Sequence, residues 1–224
     1  MNAWILLILF TGMAASVYWK KLTIPAAITG GIVGWLIYAG AGSTGLLMLA
    51  AFFIMGTAAT SWKKRQKQPA HQVTRTTSQV LANGGVAALM GLGILLFPHE
   101  KALFEIMMAG SLASAAADTL SSELGMVYGR RFYNILTWKP DQKGRDGVVS
   151  IEGLILGLIG SAVIAVIFKS QFWIIILSGT IGNLIDSILG ATLERKNYIG
   201  NNAVNFANTL FAAIVAGALA IAAA

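Results

Sequence analysis

Five acidic side chains, Asp118, Glu123, Glu152, Asp186 and Glu194, fall inside or at the ends of apolar segments long enough to cross a bilayer. A carboxylate beside hydrocarbon costs at least about 2.5–3.5 kcal/mol, so membrane chains keep one mainly where a cation, a polar substrate or a proton path requires it. Asp118 belongs to a small and polar stripe, Ser111, Ser114, Asp118, Ser121, Ser122 and Gly125, that recurs at helical spacing. Serines alone would serve helix packing, but an Asp followed five residues later by Glu123 on a polar face points to function. Asp186 lies four residues from Gly182 and four from Gly190, which leaves backbone open beside its carboxylate. Two acids from different helices, near an interface that phosphate can reach, suit Mg²⁺, which binds through one or two carboxylates plus substrate phosphates. A structural Asp–Asn or Asp–Arg pair is the alternative.

The loop before the sixth apolar segment, from Lys139 to Gly153, combines Lys139, Lys143 and Arg145 with Gly144 and Gly147 and runs through Asp146 into Ser150. Backbone N–H groups at a helix start favour anions, and cations supply countercharge. The spacing is not that of a Walker loop, and a basic loop held near anionic lipid is an equal reading. Asn201, Asn205 and Asn208 share one helical face, with Asn202 and Thr209 beside it. Such amides contact a sugar, base or phosphate without fixing a charge, or bond neighbouring helices. The run from Trp62 to Lys67 reads as a topology determinant on a solvated loop, and the Gly30–Gly34 and Gly153–Gly157 spacings as packing signals.

The elements that must carry these residues are membrane helices. Only 11% of the 224 residues are charged and 56% are hydrophobic, far from the quarter of charged residues usual in a soluble domain. The chain is an integral membrane protein, an all-α bundle forming a single domain over residues 1–224. No cysteine is present, which removes disulfides, thiolate nucleophiles and Cys-type zinc sites. His71 and His99 are isolated loop residues, which argues against a zinc site or a His-base enzyme. The segment from Ala3 to Tyr18 lacks a basic leader and is expected to be a retained helix. Eight apolar segments are expected, at about 3–19, 22–40, 43–61, 79–97, 102–124, 148–168, 171–193 and 203–223. The seventh, with Gly179, Gly182 and Gly190 near Asp186, is expected to be broken or incompletely spanning, and six or seven crossings are the alternative. If all eight cross, every Lys and Arg but Lys101 and Lys169 falls on one side, which the positive-inside rule makes cytoplasmic. Both termini then lie on the non-cytoplasmic side, and all the unusual polar residues converge at the cytoplasmic face.

The blocks Gln79–Gly85, Ala117–Gly125, Gly144–Gly153, Gly182–Glu194 and Asn201–Asn205 make the chain resemble the domain-of-unknown-function-92 membrane family, which includes phytyl-phosphate kinase-like proteins. The match spans residues 79–210. The resemblance implies phosphoryl transfer from CTP or another nucleoside triphosphate to an isoprenoid monophosphate of the phytyl or geranylgeranyl type, with Mg²⁺ or another divalent cation. It implies Asp118, Glu123 and Asp186 as metal and catalytic residues, and Lys139, Lys143, Gly144, Arg145, Asp146, Gly147, Ser150, Asn201 and Asn205 as the phosphate-binding set. Asn83, Ser122, Glu152, Ser187, Glu194 and Asn202 would support them. The expected setting is a prokaryotic-type inner or plasma membrane, with the site facing the cytoplasm and the substrate's tail in the bilayer. The expected partners are membrane lipid, isoprenoid phosphate and nucleotide, without a nucleic-acid polymer. Prenyl length, nucleotide base, metal and oligomeric state stay open. Cytidylyl transfer to a lipid phosphate is the rival reaction. An ion-coupled transporter ranks third, because the acids cluster at one face and no repeat is evident.

Overall fold

Helix α1 (Ala3–Tyr18) is followed by α2 (Ile24–Ser61), α3 (Thr77–Leu96), α4 (Lys101–Tyr128), α5 (Ile151–Phe168), α6 (Phe172–Leu189) and α7 (Asn201–Ala222). They come from a computed structural model that describes residues 3–67 and 74–223; His71 lies outside the described residues. A pair of two-residue strands, β1 (Tyr133–Asn134) and β2 (Val148–Val149), interrupts the otherwise helical chain between α4 and α5. Among the described residues, that pair of strands and the isolated bridges Leu22–Arg75 and Tyr133–Pro140 are the departures from an all-α reading.

Local chemistry sets the helix starts. Thr23 caps α2 by accepting from the Ala26 N–H at 3.3 Å, with Pro25 in the first turn, where its missing N–H costs nothing. Gln79 Oε1 accepts from the Thr76 N–H at 2.9 Å, as in a capping box. Ser150 caps α5 by accepting from the Gly153 N–H at 3.1 Å.

As a straight rod, the 38 residues of α2 would run about 57 Å, yet its ends meet, because Lys21 Nζ donates to Ser61 Oγ at 2.8 Å. The fold-back is at Gly42, whose φ of 64° and ψ of −151° suit only glycine. The halves pack against each other, since a Cβ on Gly34 would lie 3.6 Å from Leu49 Cδ2. One apolar run is therefore a helical hairpin, and the second and third expected segments are both present as its arms.

Six of the helices are long and apolar enough to cross a membrane, and Ala3–Tyr18 is a shorter apolar helix. Helix α4 is the hub, packed against α2, α3, α5, α6 and α7. It carries the lowest mean hydropathy of the six spans, 1.2 against 2.4 for α5, as expected of a helix whose neighbours are protein rather than lipid. Small residues bring the backbones together. A Cβ on Gly160 would stand 2.9 Å from the Ala116 carbonyl, and one on Gly157 would stand 2.9 Å from that of Ala117. Exposed Trp19, Trp62, Trp138 and Trp173 sit at helix ends or in loops, where amphipathic rings meet a membrane interface.

Contacts between loops define one polar end. Arg75 N–H donates to the Lys21 carbonyl at 2.9 Å, Trp62 Nε1 to Tyr128 Oη at 2.8 Å, and Arg195 Nε to the Asp146 carbonyl at 3.0 Å. The basic loops at residues 20–23, 62–67, 74–76, 129–149 and 195–200 thus gather together. Lys101 and Lys169 lie at the other ends of their helices.

Candidate active site

Asp118 on α4 and Asp186 on α6 come together because of what stands one turn before each. Gly182 abuts Ser114 so closely that no Cβ fits between them, and a Cβ on Gly179 would lie 2.8 Å from that of Ala113. The two helices run the same way at that contact. Four residues farther along each, the two carboxyls face one another at hydrogen-bonding range. Helix α7 completes the arrangement. Asn208 Nδ2 donates to Asp186 Oδ1 at 2.6 Å, and its Oδ1 accepts from Ser114 Oγ at 3.1 Å. With its amide oriented to donate, Asn205 reaches Asp186 Oδ1 at 3.2 Å and the Asn201 carbonyl at 3.3 Å. The Asp–Asn pair weighed from sequence is present, and it holds a carboxylate that still faces its neighbour.

These groups line a cavity of about 420 Å³ at the polar end of the bundle. Of the residues expected at the site, Asn83, Asp118, Ser122, Glu123, Gly144, Arg145, Asp146, Gly147, Ser150, Asp186, Ser187, Glu194, Asn201 and Asn205 line it. Lys139 and Lys143 do not; Lys143 Nζ lies 5.8 Å from the centroid of the Phe132 ring. Glu152 and Asn202 also stand apart from it. Glu152 Oε2 accepts from the Arg130 N–H at 3.4 Å, and Asn202 Nδ2 donates to Ser78 Oγ at 3.0 Å.

Glu123 faces the cavity but is held from behind. Lys67 Nζ lies 2.6 Å from Glu123 Oε2, and Thr60 Oγ1 donates to Oε1 at 2.8 Å. Lys67 is buried and also donates to the Ala59 carbonyl at 2.6 Å. This residue therefore leaves the solvated topology run in which the sequence places it.

The loop between β1 and β2 forms the cavity rim. Gly144 and Gly147 have φ of 78° and 69°, and Gly147 lies directly on Ala191, with no room for a side chain. Opposite it, α6 does not break at its glycines as the sequence led one to expect. It runs unbroken to Leu189 and continues as a π-helical turn, Gly190–Glu194, a feature that often marks functional sites. Arg195 clamps the loop: Nη1 pairs with Asp141 Oδ2 at 2.9 Å, and Nε and Nη2 both donate to the Asp146 carbonyl. The Gln142 N–H and then Arg195 hold the Asp141 carboxyl below the usual carboxylate range.

Arg75, Gln79 and Asn183 line the cavity as well, and neither they nor Lys67 stood among the expected site residues. Asn183 directly follows Gly182, inside the Gly182–Glu194 block. Arg75 carried no signal beyond membership of a basic loop. Burial lowers its pKa from the ordinary value, opposed by the charge of Glu123.

Among the described residues no three Asp, Glu, His or Cys side chains converge to hold a metal ion. The donor set around Asp118 and Asp186 is nonetheless all carboxylate, amide and hydroxyl, and two half-buried carboxyls facing one another favour either a shared proton or a cation between them. That fits a hard ion completed by substrate oxygens and excludes a soft-metal site.

The sequence matches the family model described as integral membrane protein DUF92 over residues 6–213. It is 32% identical to Protein VTE6, chloroplastic, of Arabidopsis thaliana over 93% of this chain and 66% of that one, so it spans just under two thirds of that relative. An uncharacterized membrane protein of Methanocaldococcus jannaschii is 33% identical over 88% of this chain and 84% of its own. One from Synechocystis is 30% identical over 83% and 77%. No solved structure matches.

Proposed function

The chain belongs to the DUF92 family of integral membrane proteins, and on that premise we propose that it is a prenyl-monophosphate kinase, using CTP or another nucleoside triphosphate and working at the cytoplasmic membrane face. The observation that carries the reading is the Asp118–Asp186 pair, held by Gly182 and Asn208 in a polar cavity that a glycine-rich cationic loop closes. It is joined to the resemblance to phytyl-phosphate kinase-like proteins. If the eight helical segments are eight crossings, the basic loops share one side, and the positive-inside rule favours the cytoplasm, where nucleotide is available, for that side and its cavity.

In this reading an oxygen of the acceptor phosphate attacks the donor's γ-phosphorus, and the bond to the β-phosphate bridging oxygen breaks. The products are the prenyl diphosphate and the nucleoside diphosphate. The acceptor is already ionised, so a strong general base is not required, and the rate comes from positioning and charge neutralisation. Asp118 and Asp186 would hold a divalent cation, which supplies neutralisation of phosphate charge. The Gly144–Gly147 backbone and Arg145 bind and orient donor phosphates. Glu123, with Lys67 and Thr60 behind it, fixes the wall beside Asp118. Lys139 and Lys143 lie off the cavity and act at most as attracting charge.

The test is an assay of purified protein with CTP or ATP, prenyl monophosphates of several lengths, and Mg²⁺ or chelator, with the lipid products resolved by mass. Labelled γ-phosphate on the lipid supports the kinase. A nucleotide-lipid with release of pyrophosphate overturns it in favour of cytidylyl transfer, and no product with any donor overturns both.

A further inference from the structure

A second cavity, of about 220 Å³, lies between α1 and the two arms of the α2 hairpin. Its walls are apolar, among them Ile8, Leu9, Leu46, Leu49, Phe52 and Phe53. Its inner end is not. Arg75, Gln79 and Asn83 close it, and the same three residues line the polar cavity that contains Asp118 and Asp186. An apolar cleft and a polar chamber thus share one wall, and that wall carries a cation.

Arg75 is built into this position. Its N–H donates to the Lys21 carbonyl at 2.9 Å, and its carbonyl accepts from the Thr23 N–H at 3.1 Å, which ties it to the α1–α2 junction. Its guanidinium carbon lies 5.6 Å from the centroid of the Phe52 ring. Gly56 leaves the room it needs, because a Cβ there would stand 2.6 Å from Arg75 Nη2. Among the described residues no carboxylate is within ion-pair distance of Arg75, and the nearby Glu123 is engaged by Lys67 at 2.6 Å. Arg75 is half-buried; a guanidinium partly withdrawn from water without a paired anion is costly, and its planar fork matches phosphate oxygens.

We propose that the α1–α2 cleft holds the hydrocarbon tail of the phosphorylated acceptor and that Arg75, at the junction of the two cavities, binds its phosphate. The inference rests on the kinase reading and adds to it the acceptor's subsite: the tail lies within the protein instead of in bulk bilayer. A single-chain amphiphile with one anionic end fits a cleft whose apolar walls meet a cation on the wall it shares with the polar cavity. The donor then approaches from the opposite wall, formed by the Gly144–Gly147 loop.

The test measures binding by native mass spectrometry, in detergent, of a twenty-carbon and a five-carbon prenyl monophosphate, with bilayer phospholipid as competitor. Arg75→Gln is expected to weaken both ligands about tenfold or more, the loss of charge-assisted hydrogen bonds, with Arg75→Lys intermediate. Gly12→Leu and Gly30→Leu extend into the cleft, where a Cβ meets nothing within 4 Å at Gly12 and only Leu22 Cδ1, at 3.9 Å, at Gly30. Each is expected to lower the twenty-to-five-carbon affinity ratio about tenfold, as displacing two methylene groups would. An unchanged ratio in both monodisperse glycine variants overturns the cleft, and wild-type affinity in Arg75→Gln overturns the phosphate contact. Phospholipid competing as well as the prenyl ligand, or no binding by the wild-type chain, overturns the whole proposal. Because binding needs no turnover, the expected pattern without any phosphoryl transfer defeats the kinase reading alone. Transfer that proceeds with unaltered binding in every variant defeats the cleft alone.

Discussion

At the scale of single residues, the Asp118–Asp186 pair makes the sharpest demand, because two facing carboxyls in a membrane bundle need a shared proton or a cation to offset their charge repulsion. Asp118→Asn and Asp186→Asn keep the shape and remove that charge. Each is expected to lower turnover at least about 100-fold while the protein still elutes as a folded species, and near-normal turnover in both removes the pair from the mechanism. Lys67 and Glu123 make a different prediction. Lys67→Met removes the buried ammonium that pairs with Glu123 at 2.6 Å and is expected to cost about 3–5 kcal/mol of stability, read as a lowered melting temperature in detergent. Adding Glu123→Gln to Lys67→Met is expected to restore most of it, and a single variant as stable as the wild type denies the pair its structural role. The two aspartates were legible in the sequence because the cost of an intramembrane acid is written in its apolar surroundings. Lys67 and Arg75 were not. Each looks like any other cation in a basic loop, and only the return of Ser61 to Lys21 and the docking of residue 75 on the α1–α2 junction bury them.

At the scale of elements, the site depends on where a loop is clamped to a helix end. Gly147 combines a φ of 69° with direct contact to Ala191, so Gly147→Ala meets both backbone strain, about 1–2 kcal/mol, and a steric block. It is expected to raise the KM for nucleotide about tenfold or more while changing the KM for the prenyl acceptor little, and equal changes in both place the loop elsewhere in the reaction. Asp141 contributes a pH signature. Its folded-state carboxyl lies below the ordinary value, through the Gln142 N–H and then Arg195. The clamp it makes is therefore fully present above that ordinary value and is lost only as pH falls through the depressed one. Protection of the 139–147 loop from protease is expected to hold from about pH 7 to about pH 5, and to be lost at both in Asp141→Asn. Loss already at pH 5 in the wild type contradicts the clamp. Apolar runs of the right length revealed the helices, and the glycines flanking Asp186 revealed close approach. The π-helical turn and the β1–β2 pairing did not show, since both arise from one loop packing on a helix end rather than from local periodicity.

At the scale of the whole molecule, sidedness decides whether the proposed chemistry has access to nucleotide. Ser61 meets Lys21, Trp62 meets Tyr128 and Arg195 meets the Asp146 carbonyl, so the basic loops form one end whatever the orientation. On the positive-inside rule we propose that this end faces the cytoplasm. The chain has no cysteine, which makes single introduced thiols clean reporters. Gln142→Cys, exposed on the rim loop, is expected to react with an impermeant maleimide in intact cells only after permeabilisation, whereas Ser170→Cys, exposed in the α5–α6 connection, reacts without it. The opposite pattern turns the cavity away from the nucleotide pool and removes the kinase at a stroke. Labelling of both thiols from one side contradicts the crossing of α5 itself. The expected pattern leaves the α2 hairpin as the element that brings the apolar cleft, open to lipid chemistry, against a chamber supplied from the aqueous side, and that is the geometry a lipid-phosphate kinase requires.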